Sequence, residues 1–128
     1  MFKLNKSEAP QRARKGLVSH ILLQQGDVQN DRLAVTWVDV APGSGQQPHS
    51  HGPEQAYVII KGRGLMRVDN EEKEVAEGDF IYIPPNQVHS IINRSDELLT
   101  YISASTPAFD LTAIYDTGEL RTETDTAS

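Results

Sequence analysis

The 128-residue chain contains no cysteine, which excludes disulfide bonds and thiolate metal ligands. Any metal ion that it binds must therefore be held by nitrogen and oxygen donors. Long apolar runs are also missing, since the longest, AYVII at residues 56–60, is far shorter than the roughly 20 residues of a membrane-spanning helix. The amino terminus, MFKLNKSEAP, has no apolar stretch after its lysines, so we expect a cytoplasmic protein without a membrane partner.

Positive charge is also scarce, with 12 Lys and Arg against 18 Asp and Glu and a formal net charge of −6. A protein that binds nucleic acid normally presents a basic face, so we expect no nucleic-acid partner. A chain of this length suits one domain with its own hydrophobic core and is too short for two.

Short apolar stretches recur along the chain, and no long segment keeps the helical period of 3.6 residues. Turn residues separate the stretches, as at Gly78-Asp79 and at Pro84-Pro85-Asn86. This pattern predicts an antiparallel all-β sandwich or barrel. The predicted strands cover residues 17–23, 33–40, 55–60, 65–68, 74–75, 80–83, 89–92 and 98–104.

The two ends differ from the middle in composition, so we divide the chain into an N-terminal arm at 1–16, a β domain at 17–106 and a C-terminal extension at 107–128. Residues 5–16 are polar and basic, and residues 117–128 carry almost nothing apolar and are expected to be mobile. Residues 107–115 are different, because Phe109, Leu111, Ile114 and Tyr115 need burial against the domain or a second subunit.

The histidines carry the clearest chemistry. His49 and His51 are two residues apart, so on an extended strand both side chains point to one face, about 6.6 Å apart along the chain. Both imidazoles can then reach one ion, and His89, which follows the proline turn, is the candidate third ligand. His20 is isolated in the first strand. Taken alone, the His-x-His pair is equally well explained by histidines that hydrogen-bond at a surface.

The segment from Gly43 to Asn93 resembles the cupin superfamily, in particular the small single-domain cupins. Two separately spaced motifs carry the resemblance. The first consists of Gly43, His49, His51, Gln55 and Gly62, and the second of Gly78, Pro84, Asn86, His89 and Asn93. Asn86 replaces a turn glycine, but asparagine is among the few residues that tolerate positive φ.

The resemblance implies a double-stranded β-helix, or jelly roll, for the β domain. It also implies one divalent metal ion held by His49, His51, Gln55 and His89. Many cupins have glutamate where this chain has Gln55, and Glu54 lies one position too early. The spacing to His51 and Gly62 favours Gln55, which leaves Glu54 on the outer face. Nitrogen and oxygen donors admit zinc, manganese, iron, nickel or copper, and the sequence does not choose among them.

Three functions are compatible with this site. The first is a small enzyme that uses the ion as a Lewis acid on a polar oxygenated molecule, in the manner of an isomerase or lyase of sugar acids or dicarbonyls. The second is a metal-dependent dioxygenase, and the third is a non-catalytic barrel that binds or senses a small ligand. Small cupins that resemble this chain commonly form homodimers, so we expect a dimer.

Few other residues have a predicted role in the site. By strand parity Tyr57 and Ile59 face the interior with Gln55, as Ile91 does with His89. Tyr57 is the candidate catalytic residue, as a hydrogen-bond or proton donor, and the alternative is a core tyrosine. Trp37 is predicted to belong to the core. No residue stands out as a general base.

Overall fold

The computed structural model describes residues 1–29 and 32–107 together with the backbone of residues 121–122. A short 3-10 helix, η1 (Lys6–Glu8), precedes the strands. The strands are β1 (Gln11–Arg14), β2 (Leu17–Leu23), β3 (Ala34–Val40), β4 (Gly45–Ser50), β5 (Glu54–Lys61), β6 (Arg63–Val68), β7 (Glu71–Ala76), β8 (Phe80–Ile83), β9 (His89–Ile92), β10 (Leu99–Thr106) and β11 (Arg121–Thr122). None of the helical structure in these ranges is long and apolar enough to cross a membrane.

The strands pair in antiparallel fashion into two sheets. The six-stranded sheet has the order β1-β2-β3-β10-β5-β8, and the five-stranded sheet has the order β11-β4-β9-β6-β7. The chain crosses from one sheet to the other at every step from β3 to β6 and again from β7 to β10. This is the jelly-roll topology, so the predicted fold class is confirmed.

Alternate side chains of the strands form the core between the two sheets, because successive residues of a strand point to opposite faces. Burial in β3 alternates without interruption from Ala34 to Val40. In β5 the inward residues include Tyr57 and Ile59, as parity predicts. The core cluster draws on both sheets and consists of Leu17, Val38, Val40, Tyr57, Ile59, Met66, Val75, Ile83, Ile91, Leu99 and Tyr101.

The predicted strands at 17–23, 80–83 and 89–92 agree with β2, β8 and β9. Three observed strands, β1, β4 and β11, are absent from the prediction. The sequence of β4, GQQPHS, has no apolar alternation, and β1, QRAR, lies inside the segment interpreted as an arm. Both strands form through pairing with a neighbour, β4 with β9 and β1 with β2, which local composition does not reveal.

Residues 121–122, the described part of the polar tail, form a strand that composition did not predict. Arg121 pairs with Ser50 and Thr122 pairs with His49, so β11 lies along the outer edge of β4. The apolar residues Phe109, Leu111, Ile114 and Tyr115 lie outside the described residues, as does the remainder of the tail.

The turn between β8 and β9 confirms the expectation for Asn86, whose φ is 65°. Its backbone N–H donates to the carbonyl oxygen of His51 at 2.8 Å. The left-handed residue therefore ties the turn that precedes His89 to the backbone of a second histidine.

We expect Asn86→Ala to lower the free energy of unfolding by about 1 kcal/mol, because alanine pays the steric cost of the left-handed conformation without a polar side chain to offset it. Asn86→Gly is the matched control and should be at least as stable as the wild type. Urea denaturation of the three proteins measures the difference. Equal loss of stability in both variants would show that the side chain, rather than the backbone conformation, matters.

Candidate metal centre

Three histidines from the five-stranded sheet and its loop meet at one end of the barrel. His49 lies near the end of β4, His51 follows that strand directly, and His89 begins β9. The ring centroids of His49 and His89 are 4.2 Å apart, and the ring of His51 lies 5.0 Å from His89 and 5.7 Å from His49. One nitrogen of each ring lies within 4.8 Å of the others, so the three side chains can hold one ion.

An irregularity in β4 contributes to this convergence. Gln46 pairs with Ile91, whereas His49 pairs with His89, so β4 uses one more residue than β9 over the same length. Such a bulge re-aims the side chains that follow it. As a result His49 faces the same interior as His89, and 5% of His49 and 1% of His89 is exposed.

All three rings are held by the same kind of hydrogen bond. The Nδ1 atoms lie 2.7 Å, 2.9 Å and 3.0 Å from the carbonyl oxygens of Gln47, Pro53 and Gln87 respectively. A carbonyl oxygen only accepts, so each Nδ1 carries the proton and donates. The lone pair of each ring therefore lies on Nε2, the atom available to a metal.

Burial keeps these histidines uncharged. Desolvation is the main cause that lowers the pKa of His49 to about 4 and the pKa of His89 to about 3. The pKa of His51 is also lowered, again chiefly by burial. At neutral pH the rings are thus neutral donors, as metal binding requires. The Nε2 atom of His89 is buried without a hydrogen-bond partner in the described part of the chain, which a bound cation would explain.

The side chain of Gln55, on β5, reaches the same cluster from the opposite sheet. Its Oε1 atom lies 2.9 Å from Nε2 of His51. Two donors bound to one ion at about 2.1 Å each and at right angles are about 3 Å apart, so this separation fits a shared metal. Glu54 faces outward instead, where its carboxylate accepts a hydrogen bond from the hydroxyl of Tyr82 at 2.5 Å.

Tyr57 lies beside the cluster and within the core. Its ring stacks on Tyr101 with centroids 4.5 Å apart and meets His89 edge-on at 6.3 Å. Only 3% of its surface is exposed. The structure therefore brings the candidate catalytic tyrosine next to one histidine while giving it the packing of a core residue.

Other predicted positions lie elsewhere. Trp37 is half-buried on the outer face of β3 rather than in the core, which corrects its predicted place. Its indole Nε1 donates to Asp39 at 3.2 Å, and Lys6 from the N-terminal segment lies over its ring at 4.9 Å. His20 is held on the same face, with Nε2 3.3 Å from the Asp39 carboxylate. The sequence did not predict the position of Trp37, because the N-terminal segment that lies over it is polar and gives no sign that it covers an aromatic ring.

Ser103 is the residue that sequence reasoning missed. The side-chain Nε2 of Gln55 donates to its hydroxyl at 3.0 Å, and 8% of Ser103 is exposed. Strand β10, LTYISAST, alternates hydroxyl and apolar side chains, and none of its serines signals a partner that is 48 positions away. Only the register between β5 and β10 brings the two residues together.

A jelly roll with a candidate three-histidine site at one end is the architecture of the cupins. The Cupin domain family model matches residues 36–105, more than half of the chain, and this protein belongs to that family.

Relatives of this chain differ in how much is established about them. An uncharacterised protein of Methanocaldococcus jannaschii is 35% identical over 101 residues, which cover 78% of this chain and 81% of that protein. Dimethylsulfoniopropionate lyase DddW of Ruegeria pomeroyi is 30% identical over 54 residues, which are 42% of this chain and 36% of the lyase. The polyketide cyclase RemF of Streptomyces resistomycificus shares the fold, with a TM-score of 0.76 at 18% identity over 96% of this chain and 85% of the cyclase.

We expect the metal-free protein to lose stability as the pH falls from about 6.5 toward 4. Unfolded histidines titrate near 6.5, whereas folded His49 and His89 titrate at about 4 and about 3, so in this range protons bind the unfolded chain first. Each of the two contributes a slope of about 1.4 kcal/mol per pH unit. Above pH 6.5 this contribution to stability is fully present.

Chemical denaturation with a chelator present, at a series of pH values, measures this slope. Carboxylates titrate in the same range, so the control is the double variant His49→Asn/His89→Asn. Its stability should depend less steeply on pH between 6.5 and 4. Identical slopes for the variant and the wild type would contradict the lowered histidine pKa values.

Proposed function

We propose that this cupin is a metal-dependent enzyme of the lyase or isomerase type that acts on a small, polar, oxygenated molecule. In this proposal His49, His51, His89 and Gln55 hold one divalent ion. The observation that carries it is the arrangement of the three rings, each with Nδ1 bonded to a carbonyl and each with a nitrogen within 4.8 Å of a nitrogen of the other two. Surface histidines without a common ligand are under no constraint to adopt the same hydrogen-bonded orientation.

The proposed donors are all neutral, because three imidazoles and one amide contribute no charge. A divalent ion bound by these donors would keep its full charge of +2 and would act as a Lewis acid that polarises an oxygen of the substrate. The chain's own contribution is to fix the four donors and to exclude water. Ile83, which pairs with Gln55, and Ile91, two residues from His89 on the same face, supply apolar surroundings, and both are fully buried.

The similarity to DddW supports a lyase reaction for this protein, because DddW is named as a lyase. The stretch is 54 residues long, so it supports a reaction class rather than a substrate. We propose sugar acids, dicarbonyls and dimethylsulfoniopropionate as the first compounds to test.

Protein purified without chelators should contain about one equivalent of metal per chain by plasma mass spectrometry. Replacement of His49 or His89 by alanine should weaken binding by roughly a hundredfold or more, since loss of even a supporting residue typically costs ten- to a hundredfold. Gln55→Ala should weaken binding, and Glu54→Gln, one residue away on the outer face, should not.

Absence of bound metal, even after incubation with zinc, manganese, iron, nickel and copper salts in turn, would overturn the proposal. It would leave a barrel that binds a small ligand without metal. Iron, nickel or copper together with substrate-dependent oxygen uptake would instead support the dioxygenase.

We further propose that the hydroxyl of Tyr57 donates a hydrogen bond or a proton to the bound substrate. Tyr57→Phe should then lower turnover of the best substrate by about a hundredfold or more while the metal content stays unchanged. The phenylalanine ring keeps the stacking on Tyr101, and Tyr101→Phe is the matched control because it removes a buried hydroxyl from the same ring pair. Equal turnover in wild type and Tyr57→Phe would assign Tyr57 to the core alone.

A further inference from the structure

We propose that Ser103 is a positioning residue that holds the side-chain amide of Gln55 with its oxygen toward the three histidines. The inference rests on the proposed metal site and adds a residue to it. Gln55 Nε2 donates to the hydroxyl of Ser103 at 3.0 Å, while Oε1 lies 2.9 Å from Nε2 of His51. The two ends of one amide thus have two different neighbours, Ser103 on β10 and His51 in the loop that follows β4.

An amide needs such orientation because its ends are chemically unlike. The oxygen has lone pairs for a cation, whereas the NH2 group presents two hydrogens and no available lone pair. The terminal torsion of glutamine is broad and roughly two-fold, so shape alone does not distinguish the two orientations. The hydroxyl of Ser103 can accept or donate, and here it accepts from the NH2 group, which leaves Oε1 of Gln55 toward the histidines.

The position of Ser103 in the sheet suits this role. In the register of β5 and β10, Gln55 lies opposite Ser105, and Ser103 lies opposite Tyr57. Ser103 is therefore the diagonal neighbour of Gln55 on the inner face, a separation that a long side chain spans. Both serines are buried, with 8% and 4% of their surfaces exposed, yet the amide donates to the diagonal one.

The requirement for Ser103 depends on the residue at position 55 being glutamine. A glutamate there has two equivalent oxygens, either of which can face a cation, so it needs no partner to choose between its ends. We therefore expect a hydroxyl at position 103 to matter when residue 55 is glutamine and not when it is glutamate. This dependence separates an orienting role from a merely structural one.

The test is a cycle of four proteins: wild type, Ser103→Ala, Gln55→Glu and the double variant. Affinity for zinc and for manganese is measured by competition with a coloured chelator. In the wild-type background Ser103→Ala should weaken binding by about ten- to a hundredfold. In the Gln55→Glu background the same change should alter affinity by less than about threefold. Ser105→Ala, on the same strand and face, should be neutral in both backgrounds.

A second readout uses the metal-free protein and does not depend on binding. The side-chain NH2 of Gln55, assigned in 15N spectra by its loss in Gln55→Glu, should exchange with solvent about tenfold faster in Ser103→Ala. Ser103→Thr keeps the hydroxyl and should restore slow exchange, and Ser105→Ala should leave it unchanged.

The outcomes separate this inference from the metal proposal. Equal losses of affinity in both backgrounds, or unchanged amide exchange in Ser103→Ala, would overturn the orienting role. If Gln55→Ala binds metal as tightly as the wild type, Gln55 is not a ligand and the positioning role falls with it. The metal proposal then stands on the three histidines, and that result is compatible with slow amide exchange.

Discussion

The three hydrogen bonds from histidine Nδ1 to backbone carbonyls are the interaction on which the candidate site depends. Each partner carbonyl belongs to a residue only two positions from its histidine, so the restraint is local to the loop or strand. The barrel then needs only to bring three such units together. It does so through the pairing of β4 with β9 and through the bond from Asn86 to the His51 backbone.

Burial and charge act together at this site. A buried imidazole loses its proton more readily than an exposed one, so the same desolvation that lowers the histidine pKa values also prepares the rings to bind a cation. In the proposed site Gln55 has the same property, because its amide would contribute an oxygen without a charge. A neutral amide has no intrinsic preference for the end that it presents, and in our proposal the hydrogen bond to the buried hydroxyl of Ser103 supplies that preference.

Composition and spacing predicted much of this arrangement, and pairing explains the rest. Short apolar stretches between turn residues predicted β2, β8 and β9, and the motifs shared with cupins singled out the three histidines that the structure brings together. β4 escaped prediction because pairing with β9, rather than side-chain composition, makes it a strand. Trp37 was placed on the wrong face because the segment that covers it is polar. The role of Ser103 was not predicted, because the alternation of side chains along a strand shows which face a residue occupies but not which residue on another strand it contacts.

The tail strand β11 has a consequence for solubility. It pairs with β4 on the side away from β9. Without β11, β4 would be the edge strand of this sheet. An uncovered strand edge offers unpaired N–H and C=O groups to other chains and invites aggregation. Arg121 and Thr122 thus shield the backbone of the strand that carries His49, and a chain shortened before residue 121 would expose an aggregation-prone edge beside its candidate metal centre.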